Sequence, residues 1–348
     1  MNNDLKNNDI LYDKVAQLIE QARKQVATAV NLAMVHTYFE IGRMIVEDEQ
    51  QGKQKAQYGK YIIKDLAKKL NDRFGKGFSE VNLRQMRAFY EAYSIQQTQS
   101  AELGKVRFTL SWSHYLVLMR IPNPDERSFY EIEATNNNWK IKELERQYHS
   151  SLYQRLALSR DKEGVKLLSQ KGQIVTSTLD VLKDPYVLEF LGLKEEHQYS
   201  ESQLETRIID NLQYFMLELG KGFAFVGRQV RFSFDESHFK VDLVFYNRLL
   251  QCFVLIDLKI GKLTHQDLGQ MQMYVNYYDR YEKQDYEKPT IGILLCQQKN
   301  DALVELTLPK DANIYAAEYS LYLPEKQLLQ QKLNEWATEF ENNLKNDE

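Results

Sequence analysis

Residues 240–246 read Lys-Val-Asp-Leu-Val-Phe-Tyr, and residues 252–260 read Cys-Phe-Val-Leu-Ile-Asp-Leu-Lys-Ile. Each is a short apolar run with charge inside it, and the 247–251 interval between them is the size of a turn. The pair predicts a β-hairpin. Strand side chains alternate faces, so Asp257 and Lys259 point the same way and Leu258 points into the opposite layer. With Asp242 on the partner strand, two carboxylates and a lysine come together on a mostly apolar platform.

Buried charge is costly unless it is paired or bound to metal. A divalent cation is the simplest compensation. Hard oxygen ligands favour Mg²⁺ or Mn²⁺, with several waters retained on the ion. Lys259 would then orient or help deprotonate an attacking water, or stabilise a pentavalent phosphate. The competing reading is an edge-strand ion pair between Asp257 and Lys259 with Asp242 in a turn. The apolar neighbours of both acids disfavour it.

Working outward, residues 204–219 carry a helical pattern that Gly220-Lys221-Gly222 ends, and 223–234 is a β-type run. After Lys259 comes a helix bearing Leu268, Met271, Tyr274, Val275 and Tyr278. Residues 290–296 are nearly all apolar and read as a buried strand. Residues 312–322 read as one more strand and 327–344 as a terminal helix. Two residues of the flanking helices fit the same site. Glu205 precedes the strands, and Gln270 follows Lys259. Each has a plain alternative as a solvated helix side chain. Lys262 and His265 are in reach of phosphate but read more simply as exposed loop residues.

The first half is helical. Apolar residues recur at helical steps over 10–50, 59–74, a third helix capped by Ser79, 111–119, 126–136 and 139–158. Segment 96–105 is polar and reads as a loop. The 159–185 stretch is polar with little periodicity until Asp184-Pro185, where proline suggests a helix start. The expected organisation is a helical domain over 1–158, a linker over 159–183 and a catalytic domain over 184–348. The fold class is α+β overall: an all-α domain followed by an α/β domain with a mixed central sheet.

At 348 residues the chain has room for two domains. The net charge of −4 hides a split, with 24 Lys/Arg against 19 Asp/Glu in residues 1–160 and the excess of acids in the remainder. A globally basic binder is excluded, whereas a basic face on one half beside a carboxylate-rich half suits a metal-dependent nuclease. Two solvated surfaces explain the same split. Two cysteines, Cys252 and Cys296, make neither a disulfide scaffold nor a cysteine zinc site. The polar start, MNNDLKNNDILYDK, has no apolar signal core, and no apolar run is long enough to span a membrane. A cytoplasmic protein without a membrane partner is expected.

The spacing of Asp242, Asp257 and Lys259 resembles the D-x(10–20)-(D/E)-x-K signature of the PD-(D/E)XK nuclease superfamily, in the element order of its restriction-endonuclease-like core. Related nucleases often carry a Q-x(3)-Y element on the following helix, which Gln270 and Tyr274 match. The likeness extends along most of the chain to the YhcG-type PDDEXK nuclease domain family of bacteria. It rests on Asp184-Pro185-Tyr186-Val187-Leu188-Glu189-Phe190-Leu191, on Leu217 to Phe225, on Val241-Asp242-Leu243-Val244-Phe245-Tyr246 and on Gly269-Gln270-Met271. In the first half it rests on Tyr38-Phe39-Glu40-Ile41-Gly42-Arg43, Phe74-Gly75-Lys76-Gly77-Phe78-Ser79, Asn82-Leu83-Arg84-Gln85-Met86-Arg87 and Leu110 to Tyr115. There are two departures: Val241 stands where the superfamily name has Pro, and Asp257 where this family usually has Glu. The second keeps an oxygen ligand one methylene shorter.

The resemblance implies a nuclease associated with defence or mobile elements. The expectation is a Mg²⁺- or Mn²⁺-dependent DNA endonuclease, with Asp242, Asp257 and Glu205 on the metal, Lys259 assisting the water and Gln270 completing the site. The segment around Ser79 follows a glycine-rich turn and is helix-turn-helix-like. Asn82, Arg84, Gln85 and Arg87 would then be available to phosphate or base edges. A helical hairpin with solvated cations is the plain alternative. The long first helix could equally serve a homodimer. Trp112, His114 and Tyr115 read as core. Two other functions are carried forward. One is a catalytically silent nucleic-acid- or protein-binding subunit of a restriction or defence assembly. The other is a nuclease for RNA or for particular nucleic-acid structures.

Overall fold

The computed structural model describes residues 2–51, 56–100, 108–158, 162–183, 185–193, 199–234, 237–309 and 312–323, together with 325–327, 329 and 331. The chain divides into two compact units, Met1–Glu145 and Arg146–Glu348.

The first unit is helical: α1 (Asn2–Gln51), α2 (Ala56–Phe74), α3 (Glu80–Ser100), α4 (Trp112–Leu118), α5 (Pro124–Asn136) and the start of α6 (Ile141–His149). The loop expected over 96–105 differs in its first part, because α3 runs on to Ser100; residues 101–107 lie outside the described residues. Gly42 lets α1 and α3 touch, since a Cβ there would collide with the Met86 carbonyl. Next to that contact, Phe39, Phe89, Phe108 and Tyr115 form a buried aromatic cluster whose ring centroids lie 5.0–5.5 Å apart. Trp112 packs edge-on against Phe89 and Tyr38, and Tyr115 is fully buried. His114 is held between Ser111 and the Trp139 carbonyl. These three residues are therefore packing groups.

The second unit is built on a six-stranded mixed sheet. Its strands are β1 (Tyr186–Val187), β2 (Phe223–Phe234), β3 (Ser237–Asn247), β4 (Cys252–Leu258), β5 (Ile291–Cys296) and β6 (Ile314–Ser320), in the order β1-β6-β5-β4-β3-β2. The β2–β3 and β3–β4 pairs are antiparallel, while β4–β5, β5–β6 and β6–β1 are parallel. Its helices are α7 (Leu152–Leu158), α8 (Lys162–Lys171), α9 (Glu201–Asp210), α10 (Leu212–Leu219), α11 (His265–Tyr277) and α12 (Asp301–Thr307). One face of the sheet buries Leu243, Phe245, Val254 and Ile256 with Leu204, Ile208 and Phe215 of α9 and α10. The other buries Val244, Leu255 and Leu294 with Leu268, Met271 and Tyr274 of α11. Gly292 sets the depth of α11, because a Cβ there would lie 2.7 Å from the Met271 side chain.

The hairpin, the buried parallel strand and α11 stand where the periodicity put them. Several elements differ. The helix expected over 139–158 is two helices, broken at Ser150 and Ser151, where Ser151 takes φ 54° and the Ser150 carbonyl accepts from Arg155 Nε. The helix expected over 204–219 breaks at Asn211. Pro185 starts no helix: Tyr186 and Val187 form β1, and two residues are too few to display a strand pattern. The 159–183 stretch holds α8 and a 3₁₀ turn, Thr178–Val181, with Leu168, Gln173, Val181 and Lys183 buried. Most of the terminal helix expected over 327–344 lies outside the described residues.

A buried ionic cluster anchors the start of this unit. Glu218, at the end of α10, is fully buried and accepts from Arg155 and Arg146 and from the backbone N–H of Val187. Lys183 Nζ donates to the Glu218 carbonyl, and Arg146 also holds Glu189 at 2.9 Å. The cluster therefore binds α6, α7, β1 and α10 into one unit.

Candidate active site

The antiparallel register of β3 and β4 begins at Leu243↔Ile256. Beyond it the strands part, and the Asp242 side chain fills the gap: its Oδ2 accepts from the backbone N–H of Leu258 at 2.9 Å. β4 continues alongside β5, with Lys259 N–H donating to the Leu295 carbonyl at 2.8 Å. The opening between the strands is where Asp257 sits, 3% exposed, with Lys259 Nζ 2.9 Å from its Oδ2. Burial, reinforced by the charge of Asp242, pushes the Asp257 carboxyl up to about 7. Burial by itself would lower Lys259, but the carboxylates of Asp257, Glu201 and Asp267 hold it above its ordinary value, so it is an ammonium near neutral pH.

Glu205 comes from α9, started by a Ser200–Gln203 capping box and packed on the sheet through Leu204 and Ile208. It does not touch Asp242 directly. Gln229 of β2 lies between them, its Nε2 donating to Glu205 Oε2 at 2.6 Å and to Asp242 Oδ1 at 2.9 Å. Burial raises the Glu205 carboxyl, the Gln229 amide lowers it and the Asp242 charge raises it again; the net shift is upward. Gln270 of α11 is half-buried and donates to the Tyr274 hydroxyl rather than to a carboxylate. Tyr274 is itself raised, first by burial and also by the charges of Asp257 and Asp242. Lys262 and His265 are exposed.

Sequence reasoning missed Gln229, Glu201 and Asp267. Gln229 adopts φ 48°, the left-handed region that side chains rarely enter. Around it the hairpin changes face. Leu243 and Phe245 pack with α9 and α10, yet Val241 and Phe239, of the same parity, pack with α11. An unbroken strand keeps such residues on one side. The available signal was Gly227, a glycine inside a β-type run, which marks a bulge; the register shifts between Phe225 and Gly227. Glu201 accepts from the N–H of Ile260 at 3.2 Å, and Asp267 lies 3.8 Å from Lys259 Nζ.

The donors suit a hard cation. Asp242 and Asp257 are adjacent carboxylates whose mutual repulsion a divalent ion would relieve, and all the side-chain acceptors here are oxygens. Among the described residues, no three acidic, histidine or cysteine side chains are drawn into one ligand cluster. The Gln229 amide occupies the position between Glu205 and Asp242.

The residues expected to meet DNA lie in the first unit. Asn82 closes the turn between α2 and α3, its Nδ2 donating to the Gly77 carbonyl at 2.9 Å. Arg84 pairs with Glu80 at 2.9 Å, and Arg87 with Glu49 at 3.3 Å and Glu91 at 3.7 Å. Gln85 is half-buried on the same helix. No helix among the described residues is long and apolar enough to cross a membrane.

A mixed sheet flanked by helices, with an Asp, Asp-x-Lys set at the mouth between two strands, is the architecture of a PDDEXK-type nuclease domain. Residues 179–334 match the model of the YhcG PDDEXK nuclease domain, and residues 14–155 match that of the DUF1016 N-terminal domain. The chain is 40% identical over 351 residues to an Escherichia coli (strain K12) protein described as "Putative nuclease YhcG", covering 93% of this chain and 92% of that one. It belongs to this family. Among solved structures, a repair endonuclease from Pyrococcus abyssi matches with TM-score 0.25 at 19% identity, and an EndoMS–dsDNA complex with TM-score 0.26 at 14%. Each likeness covers 38% of this chain and 50% of the other.

Proposed function

We propose that the protein is a Mg²⁺-dependent DNA endonuclease that hydrolyses phosphodiester bonds at the mouth between β3 and β4. One observation carries the reading: Asp242 and Asp257 converge there from adjacent strands, with Lys259 2.9 Å from Asp257. Asp242 and Asp257 would hold the divalent cation, and Glu205 faces them across the Gln229 amide. When bound, the cation would polarise the phosphate and acidify a water. Without metal, Lys259 is held protonated by its carboxylate neighbours, which suits it to orient the water and place positive charge against the phosphate. Gln270 orients the Tyr274 hydroxyl at the edge of the same mouth. The helical unit would present DNA, with Asn82, Arg84, Gln85 and Arg87 as candidate contacts once Arg84 and Arg87 exchange their carboxylate partners for phosphate.

The test is calorimetric titration with Mg²⁺ and Mn²⁺ beside a supercoiled-plasmid nicking assay, on the wild type, Asp257→Ala and Lys259→Ala. Metal binding lost in Asp257→Ala and nicking lost in both variants are expected. Wild-type protein that binds no divalent ion even with DNA present would overturn the reading in favour of a catalytically silent binding subunit.

A further inference from the structure

Where α11 meets the outer part of β2, the two border a groove of about 340 Å³. Its wall is aromatic. Phe232 stacks on Tyr277 at 4.1 Å, and Tyr277 meets Tyr281 at 5.1 Å. Phe234 and Tyr281 are 58% and 61% exposed, so both rings present surface to the groove. The polar part of the wall is Gln272, Asn276 and Arg280. Gln272 Nε2 donates to Asn276 Oδ1 at 3.2 Å, which sets the two amides side by side along the wall. Gly269 leaves one end open, since a Cβ there would meet nothing within 4 Å.

One ring separates the groove from the carboxylates: Tyr274, which feels the charges of Asp257 and Asp242, packs against Phe232 of the groove wall. Gly269 precedes Gln270, which contacts Tyr274, and Tyr274 packs edge-on against Phe232 at 5.5 Å. From Gly269 to Tyr277 the groove follows α11 for roughly 12 Å at helical rise, and Arg280 and Tyr281 continue its wall on the π-helical turn Tyr278–Glu282. A flat ring against Tyr281 or Phe234, an amide at its edge and an arginine for its phosphate are what an unpaired nucleotide requires. An apolar protein side chain would find the same ring contacts but would leave Arg280 without an anion, which a nucleotide's phosphate supplies. The geometry points to an inference that rests on the nuclease reading: the groove binds unpaired nucleobases of the strand being cut, so the substrate includes a single-stranded or unstacked segment next to the scissile phosphate.

The experiment uses the full chain in EDTA, where no cleavage occurs, with a fluorescein-labelled single-stranded dT12 and a duplex of the same length as probes. Fluorescence anisotropy should show the single strand bound. Tyr281→Ser, Phe234→Ser and Gly269→Leu should each weaken it about ten-fold, with the duplex less affected. The first two remove exposed rings, and Gly269→Leu fills open space, so an unchanged Tm confirms that each variant folds. Variants that bind the single strand as wild type does would overturn the inference and assign the groove to another occupant, such as a protein segment. Absence of single-strand binding by the wild type would do the same. Plasmid nicking by the wild type reports separately on the nuclease reading. Nicking without groove-dependent binding overturns only this inference, whereas groove-dependent binding without nicking overturns the nuclease and leaves the groove as a site for unpaired bases alone.

Discussion

Gln229 and Asp242 are joined by a 2.9 Å hydrogen bond at the point where the β2–β3 hairpin turns from one face of the sheet to the other. They fall between the paired positions Arg228↔Leu243 and Val230↔Val241. The backbone irregularity and the candidate catalytic carboxylate are therefore one feature. A regular strand would hold residue 242 in the ladder; the kink frees its carboxylate to cap the Leu258 N–H and face Asp257.

The two parts of Gln229 are separable by mutation. Gln229→Gly removes the left-handed penalty of roughly 1 kcal/mol but also the amide, whereas Gln229→Ala removes only the amide. Gly should melt higher than Ala by about 2–4 °C, and both should nick more slowly than wild type. Equal melting temperatures in calorimetry would show that the backbone at 229 carries no penalty.

Asp257 should trade stability for activity. A carboxyl whose folded pKa, about 7, lies above its unfolded value opposes folding increasingly as pH rises from about 4 to 7, and by a constant amount above that. Asp257→Asn should therefore raise the Tm of metal-free protein by several degrees at pH 8 and by little at pH 4, while abolishing nicking. A Tm gain of the same size at both pH values would mean that charge is not its source.

Lys259 should act as a cation throughout the working pH range. Lys259→Ala is expected to reduce kcat about 100-fold or more with KM little changed, as for loss of a group that stabilises developing charge. In metal-free protein the Asp257 carboxylate beside it holds Lys259 above its ordinary value, so Lys259→Arg should preserve the wild-type pH–rate profile. A Lys259-dependent transition near pH 7, absent from Lys259→Arg, would instead make it a proton acceptor.

Glu218 should control stability without touching the chemistry. Burial alone would raise its carboxyl, but Arg155, Lys183 and Arg146 hold it down at about 2. Its contribution is present above the unfolded pKa of 4.5 and is lost as pH falls toward 2. Glu218→Ala removes the carboxylate partner of fully buried Arg155 and should cost about 3–5 kcal/mol at pH 7. Denaturant titrations at pH 7 and pH 3 would measure both effects. A variant as stable as wild type at pH 7 would show that the cluster is dispensable.

Much of the second unit was legible in its sequence because its signals are local. The 240–246 and 252–260 runs carry their own turn, Thr290 to Cys296 is apolar enough to be a buried parallel strand, and α11 displays Leu268, Met271 and Tyr274 on one face. Asp242, Asp257 and Lys259 stood out because charged residues interrupted those apolar runs. Two-residue β1 and seven-residue α12 were invisible, since neither is long enough to show a period.

By itself, then, the sequence determined where the longer strands form and which charges are stranded among their apolar residues. Each of those follows from hydrophobic spacing over a few neighbouring residues. Only the tertiary structure decided that β3 and β4 part at Leu243 and Ile256, that Gln229 rather than Glu205 touches Asp242, and that Glu201 and Asp267 reach the lysine side of the mouth. It also decided that Gln270 turns to Tyr274 and that Phe232 and Phe234 of β2 share a groove with α11. These contacts join residues far apart in the chain, and their geometry depends on a backbone kink and on helix packing depth, which local periodicity does not encode.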